Sequence, residues 1–302
     1  MNVPTPDPSV RPDFNWRPYL LLMIAPLCWA GNAVLARGVI HLIPPVSLAF
    51  WRWTIASLLL WPFAHQHAKR DWPLFAHHWK LMFFLSLVGI TFFNTLLYIA
   101  VHTTTAINAA LIQTVMPALI IVITWVGFSE KVTRLQSIGV LSCMLGACLV
   151  VLRGRLSTLF ELSFVEGDLL MLVAVLLYAL YSVFLRRKPP MHALSFLFYT
   201  FALGALGLLP LCLWELSYRP TFVLNLEVVA SVLYVSVFPS MVAFFCWNRG
   251  VELIGANRAG LFINLVPVFA SLMAVAWLGE SFMAFHLIGM ILIFSGMVLF
   301  NR

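Results

Sequence analysis

Apolar runs of about twenty residues, separated by short polar connections, dominate the chain from residue 18 onward. That is the length an α-helix needs to cross the hydrocarbon core of a bilayer. The runs predict spanning helices over 18–37, 46–64, 79–101, 106–126, 134–152, 168–186, 192–214, 227–249, 257–278 and 283–300. A β-barrel would instead show segments of about ten residues alternating apolar and polar, and these runs do not alternate. The pattern therefore predicts an all-α polytopic membrane protein with ten transmembrane helices. One sizeable polar linker, "RGRLSTLFELSFVEGD", separates five from five. The predicted organisation is a disordered tail (1–17), a first five-helix unit (18–152), the linker (153–167) and a second unit (168–302).

The two halves resemble each other. At an offset of 150, Ala106, Ala109, Leu111, Pro117, Glu130, Ile138, Gly139, Gly146 and Leu149 match Ala256, Ala259, Leu261, Pro267, Glu280, Ile288, Gly289, Gly296 and Leu299. A weaker match at offset 149 pairs "CWAGNAVLAR" (28–37) with "LYALYSVFLR" (177–186). Five helices per unit is an odd number, so the second copy must enter the membrane from the other side. That predicts an inverted-topology repeat, an arrangement common in secondary transporters with a site near the midplane.

Pro117 and Pro267 each fall about ten residues into a predicted helix. Each removes a backbone hydrogen bond and crowds the carbonyl four residues back, at Gln113 and Ile263. A freed carbonyl is costly in lipid unless protein or cavity water satisfies it. Their recurrence in both halves predicts a pair of cavity-lining hinges. Glu130 and Glu280 end their helices, where a carboxylate opposes the helix dipole; both read as interfacial anchors.

Polar and aromatic residues line particular helices at helical spacing. Trp29 and Asn32 mark the first helix; Thr91, Asn94, Thr95 and Tyr98 the third; Gln113 and Thr114 the fourth. Tyr178, Tyr181 and Ser182 mark the sixth; Ser240, Phe244, Trp247 and Asn248 the eighth; Asn264 the ninth. Helices 1, 3, 4, 6, 8 and 9 are thus predicted to surround a cavity. The fifth and tenth offer glycines for close packing. The candidate substrate-binding residues are Trp29, Asn32, Asn94, Tyr98, Gln113, Tyr178, Tyr181, Phe244, Trp247, Asn248 and Asn264. Trp51, Trp53, Trp61, Trp72 and Trp79 read as interfacial belt residues, and His102 as a surface histidine. Arg52, in "FWRWT", has two readings: a partner for a substrate carboxylate, or a side chain snorkelling to the interface.

Composition agrees with a lipid solvent: 62% of residues are hydrophobic and 10% charged, against about 25% charged in soluble domains. The net charge of +7 does not indicate nucleic acid, because the cations are sorted by side. Thirteen lysines and arginines fall on connections of one face and four (Arg37, Arg153, Arg155, Arg219) on the other. The positive-inside rule then puts both termini in the cytoplasm. The five cysteines lie in apolar runs without zinc or disulfide spacing and read as small packing residues. The pattern places no acidic residue in mid-helix. Fixed cations for a phosphate ester and a carboxylate for a lipophilic cation are therefore not expected. A neutral or zwitterionic solute with an aromatic or apolar body fits better, held by stacking and by Asn, Gln and Tyr. No Walker A, H-E-x-x-H or G-x-S-x-G pattern occurs. Neither an enzyme nor a metal or cofactor is expected.

"PVFASLMAVAWLGE" (267–280), followed by "LIGMILIFSGMVL" (287–299), resembles the repeat signature of the drug/metabolite transporter superfamily, EamA type. "CWAGNAVLAR" resembles the opening of its first helix and "FWR" (50–52) its arginine-bearing second helix. The resemblance covers residues 18 to 302; the first copy is looser, with "GFSE" (127–130) where the second has "WLGE" (277–280). It implies a ten-helix carrier of 5+5 inverted repeats in a bacterial inner membrane, exporting amino acids or related metabolites. The aromatic richness is similar to that of the aromatic amino-acid exporters of the group. The expected partners are a small-molecule substrate and the lipid bilayer, with a monomer as a plausible state. The alternative, a non-transporting membrane scaffold or receptor, has no need of two mirror-related units.

Overall fold

The structure, a computed structural model, describes residues 16–39, 42–162, 164–218, 225–278 and 281–301. All but the last two residues of the predicted tail lie outside it, as do Arg219 and Glu280. The described residues contain helices and no strand. Ten long helical segments follow in order. They are α1 (Arg17–Val39), α2 (Pro45–His77), α3 (Trp79–Thr103), α4 (Ile107–Phe128), α5 (Arg134–Val151), α6 (Glu166–Arg187), α7 (Ala193–Tyr218), α8 (Leu226–Ile254), α9 (Ala256–Ala276) and α10 (Ala284–Phe300). The eight from α2 to α9 are long and apolar enough to cross a membrane. α10 is apolar but has 17 residues, and α1, with 23, is not among the eight.

Local chemistry sets the starts. Thr105 accepts from the Asn108 N–H ahead of α4. Thr133 and Gln136 cap each other's backbone at the head of α5. Asn225 accepts from the Val228 N–H at the head of α8. Such caps satisfy amide groups that a helix leaves unpaired in its first turn.

Two helices run longer than hydropathy suggests. α2 continues through 65–77 and α7 to Tyr218. Each extension carries a buried carboxylate near its helix end, outside the predicted span. Glu215, near the end of α7, accepts from the Val46 N–H (3.2 Å), the Ser47 N–H (2.7 Å) and the Ser47 hydroxyl (2.8 Å) at the head of α2. Asp71, near the end of α2, accepts from the His192 N–H (2.8 Å) at the head of α7. The two antiparallel helices therefore cap each other, each carboxylate sitting where the partner's dipole is positive.

The packing repeats under exchange of the halves. α1 packs on α8 and α3 on α6; α4 packs on α6 and α9 on α1; α2 pairs with α7 and α5 with α10. With α1–α5 equivalent to α6–α10, the first four of these contacts form two exchanged pairs, and the last two join a helix to its own equivalent. In the α5–α10 pair, a Cβ on Gly139 would meet the Gly296 carbonyl at 2.6 Å, and one on Gly146 the Gly289 carbonyl at 2.6 Å. Only glycine allows this approach. Ser142 donates to the Leu292 carbonyl (2.8 Å), a pair 150 residues apart. The exchange axis thus passes through the α5–α10 seam.

Irregular backbone also repeats. α3 carries a π-helical turn at Leu87–Phe92 and α8 one at Val237–Val242, 150 residues on. Hydropathy gave no sign of either. α4 is interrupted at residues 114–115, just before Pro117, and α9 tightens to a 3₁₀ turn at Leu261–Asn264, just before Pro267. The interruptions fall where the two prolines crowd the preceding turn.

Candidate functional site

Arg52 anchors the centre of the molecule. Its side chain is 1% exposed. Nε donates to Ser240 Oγ (2.6 Å), Nη1 to Asn94 Oδ1 (3.0 Å) and Tyr98 Oη (2.8 Å), and Nη2 to the Pro239 carbonyl (3.0 Å). The guanidinium also lies 4.8 Å over the Trp53 ring. Arg52 is thus held inside and does not snorkel. The Pro239 carbonyl is within reach because the π-helical turn of α8 carries it. It also accepts from Trp29 Nε1 (3.2 Å).

Trp29 continues the site into an aromatic cluster. Its ring meets Tyr178 at 5.6 Å, Trp247 at 5.4 Å and Phe244 at 6.3 Å. Tyr178 meets Tyr181 at 5.4 Å and Phe93 at 4.6 Å. The Tyr181 ring needs Gly89 opposite it: a Cβ there would approach ring carbons to 2.3 Å. Trp247 Nε1 donates to Ser182 Oγ (3.2 Å).

Two tyrosine–asparagine pairs flank the aromatic cluster. The Tyr98 hydroxyl donates to Asn32 Oδ1 at 3.4 Å, and the Tyr181 hydroxyl to Asn248 Oδ1 at 2.8 Å. Asn32 and Tyr181 are equivalent at offset 149, Tyr98 and Asn248 at 150, so the pair recurs with its members exchanged.

The structure therefore brings together Trp29, Asn32, Arg52, Asn94, Tyr98, Tyr178, Tyr181, Phe244, Trp247 and Asn248. All of them except the half-buried Trp29 are buried. Gln113 is half-buried in α4 and stands outside this network. Asn264 is 1% exposed, and neither its amide oxygen nor its nitrogen finds a partner among the described residues. Pro117 is buried and Pro267 half-buried. Trp53 corrects its assignment to the interfacial belt. It is 0% exposed and packs on Phe201 (4.8 Å) and Phe244 (5.0 Å). Its neighbours Trp51 and Trp61 face outward, as do Trp72 and Trp79.

The EamA-like transporter family matches residues 16–152 and again 165–302, one copy per half. The chain belongs to this family. It is 28% identical to the uncharacterized transporter YyaM of Bacillus subtilis, over 93% of this chain and 92% of that one. It is 29% identical to an uncharacterized transporter of Archaeoglobus fulgidus, over 94% and 97%. A WAT1-related protein of Arabidopsis thaliana matches at 25% over 92% and 83%. A solved crystal structure superposes with a TM-score of 0.75 at 18% identity, covering 93% of this chain and 95% of that one, which shows a shared fold. The chain is accordingly a multi-pass membrane transporter built of two EamA-type repeats.

This EamA-type transporter has a cavity of about 680 Å³ at one end, lined by Thr124, Glu130, Arg186, Lys188, Glu252 and Asn257 among others. Arg186 pairs with Glu130 at 2.6 Å and Lys188 with Glu252 at 3.0 Å. Asn257 donates to Glu130 (3.3 Å) and accepts from Thr124 (2.9 Å). Glu130 thus has specific partners on α6 and α9 and is more than an interfacial anchor. These groups are partly exposed, so each ion pair contributes less than about 1 kcal/mol. Such pairs open at little cost.

Sequence reasoning missed Trp53, Ser240's role as an Arg52 acceptor, Pro239 and Gly89. The signal for the last two was present: both fall within segments 150 residues apart, and proline or glycine inside an apolar helix marks irregular backbone.

Proposed function

We propose that this protein is a secondary exporter of amino acids, aromatic ones or other neutral and zwitterionic metabolites, working by alternating access across a bacterial cytoplasmic membrane. On this reading α1–α10 all span the bilayer, and the second five-helix unit is inverted relative to the first. Both termini are cytoplasmic. The observation that carries the reading is the exchange of contacts between the repeats around one shared aromatic and polar cluster. Two mirror-related units enclosing a site give two equivalent ways to open it, one to each side.

The charge distribution supports the direction. The cavity lies at the end bearing Lys131, Arg186, Lys188 and Arg258, which the positive-inside rule assigns to the cytoplasm. A solute to be exported reaches the protein from there. The interruptions before Pro117 and Pro267 and the two π-helical turns are the flexible joints about which the units rock.

The test is flux. Purified protein in proteoliposomes is expected to carry radiolabelled amino acids saturably, with aromatic members of a panel favoured over aliphatic ones. Absence of saturable flux for every solute in the panel sinks the transporter reading. Saturable flux that is insensitive to changes at Tyr181, Trp247 and Asn248 sinks the site.

A further inference from the structure

The central cluster has more hydrogen-bond donors than acceptors. A guanidinium offers five N–H groups, and Arg52 uses four, all on neutral acceptors. It forms no ion pair with any described residue. Trp53 Nε1, Asn248 Nδ2 and the Tyr178 hydroxyl are buried and have no partner among the described residues. Each unmade bond is costly in a dry interior. A cation without an anion, deep in a helical membrane protein, is expensive as well.

The repeat shows that packing does not require this cation. The equivalent helix, α7, has no lysine or arginine anywhere from Ala193 to Tyr218. The α2–α7 pair therefore closes with an arginine on one side and no cation on the other. A residue needed only to hold the fold would be expected in both copies; a residue that reads a ligand need occur once.

We propose that the cluster receives the carboxylate of a small acid with an aromatic or apolar body, seated on the Arg52 guanidinium. A carboxylate is an acceptor-only group with about four lone-pair sites, which matches the surplus of donors. It pairs with arginine through two parallel hydrogen bonds. The body of the solute lies against Trp29, Tyr178, Phe244 and Trp247, of which Trp29 shares the Pro239 carbonyl with Arg52. A single guanidinium suits one carboxylate and not a multiply charged phosphate ester.

The same geometry makes recognition a release. Arg52, on α2, holds α3 through Asn94 and Tyr98, and α8 through Ser240 and Pro239. A carboxylate on Nη1 takes the place of Asn94 and Tyr98, so α3 is let go as the solute binds. Binding energy then lowers the cost of opening that side.

This inference rests on the transporter reading and refines its substrate class. The test uses the full chain in detergent with four probes: phenylalanine, 3-phenylpropionate, phenylalanine amide and phenethylamine. The two carboxylates are expected to raise the apparent unfolding temperature, and the amide and amine to leave it unchanged. Arg52→Gln is expected to weaken the response to phenylalanine about tenfold to a hundredfold, the range for lost charged hydrogen bonds. Asn94→Asp is the second variant, for the case in which Arg52→Gln does not fold. It keeps side-chain shape and puts an internal carboxylate beside Nη1. It exchanges the Asn94 Nδ2 bond to the Ile90 carbonyl (3.2 Å) for an ion pair with Arg52, and is expected to fold and to lose the response. Equal stabilisation by the amide or amine overturns the proposal, as does an undiminished response in Asn94→Asp. If proteoliposomes carry amines or amides but no carboxylate, this inference falls and the transporter stands. If they carry no solute at all, both fall.

Discussion

The Tyr181 hydroxyl donates to Asn248 Oδ1 at 2.8 Å, at the place where the other repeat sets Asn32 against Tyr98. The two pairs use the same chemistry with the residues exchanged between helices. Each ties two helices of one unit together beside the shared aromatic cluster. The first prediction concerns this bond. Tyr181→Phe leaves the buried Asn248 amide with no partner on either atom. The expected cost is about 1–3 kcal/mol, read as a lower apparent unfolding temperature in detergent. An unchanged temperature means the bond contributes nothing.

The reciprocal carboxylates on α2 and α7 make a second prediction. Glu215→Gln and Asp71→Asn each remove a negative charge from a helix N-terminus. Each is expected to cost about 0.5–2 kcal/mol, the range for caps and dipole contacts. Val46 and Asp71 are 25 residues apart on α2, about 37 Å at 1.5 Å per residue. The two effects should therefore add in the double variant. Strong non-additivity in paired denaturation curves contradicts independent caps.

The α5–α10 seam makes a third. Gly146→Leu forces a side chain against the Gly289 carbonyl and Leu292, where a Cβ alone meets atoms at 2.6 to 2.9 Å. This variant is expected to lose its monodisperse profile on size exclusion and its flux. Gly127→Ala, where a Cβ meets nothing within 4 Å, is the control and should behave as the parent. A Gly146→Leu protein that is monodisperse and active shows that the seam is not tightly packed.

Acid sensitivity makes a fourth. His192, at the head of α7, stacks on His67 with ring centroids 3.7 Å apart. Burial and the neighbouring His67 push its pKa below the usual histidine value, against the opposing pull of Asp71. A histidine with a depressed folded-state pKa favours the neutral form in the fold. The stability it contributes is present above the unfolded pKa of about 6.5. It is lost as pH falls from there through the folded value. Stability is expected to fall with pH in that window, and less steeply in His192→Asn. Identical pH profiles for the two proteins contradict this.

Much of the architecture was legible because the bilayer constrains sequence severely. Every backbone polar group in lipid must be paired within a helix, so spans appear as apolar runs. Prolines, glycines and the terminal glutamates repeated at offset 150 showed the duplication. Arg52, Asn94, Tyr98, Tyr178, Tyr181, Trp247 and Asn248 stood out because polar and aromatic residues are sparse in such runs. Trp53 did not. Its position near other tryptophans resembled an interfacial belt, and only the pairing of α2 with α7 turned it inward. Asp71 and Glu215 escaped notice for a related reason. Hydropathy ended their helices before them, whereas each helix end is in fact carried further by capping its partner.

The sequence alone determined the solvent, the number of apolar runs, the repeat and the sparse set of residues able to meet a solute, since each follows from local composition and spacing. The tertiary structure decided which of those residues meet, that Arg52 faces a neutral shell, and that two π-helical turns present carbonyls and a bare glycine to the centre. Those outcomes depend on contacts between segments up to about two hundred residues apart, such as Trp29 with Pro239, and no window on the chain contains both partners.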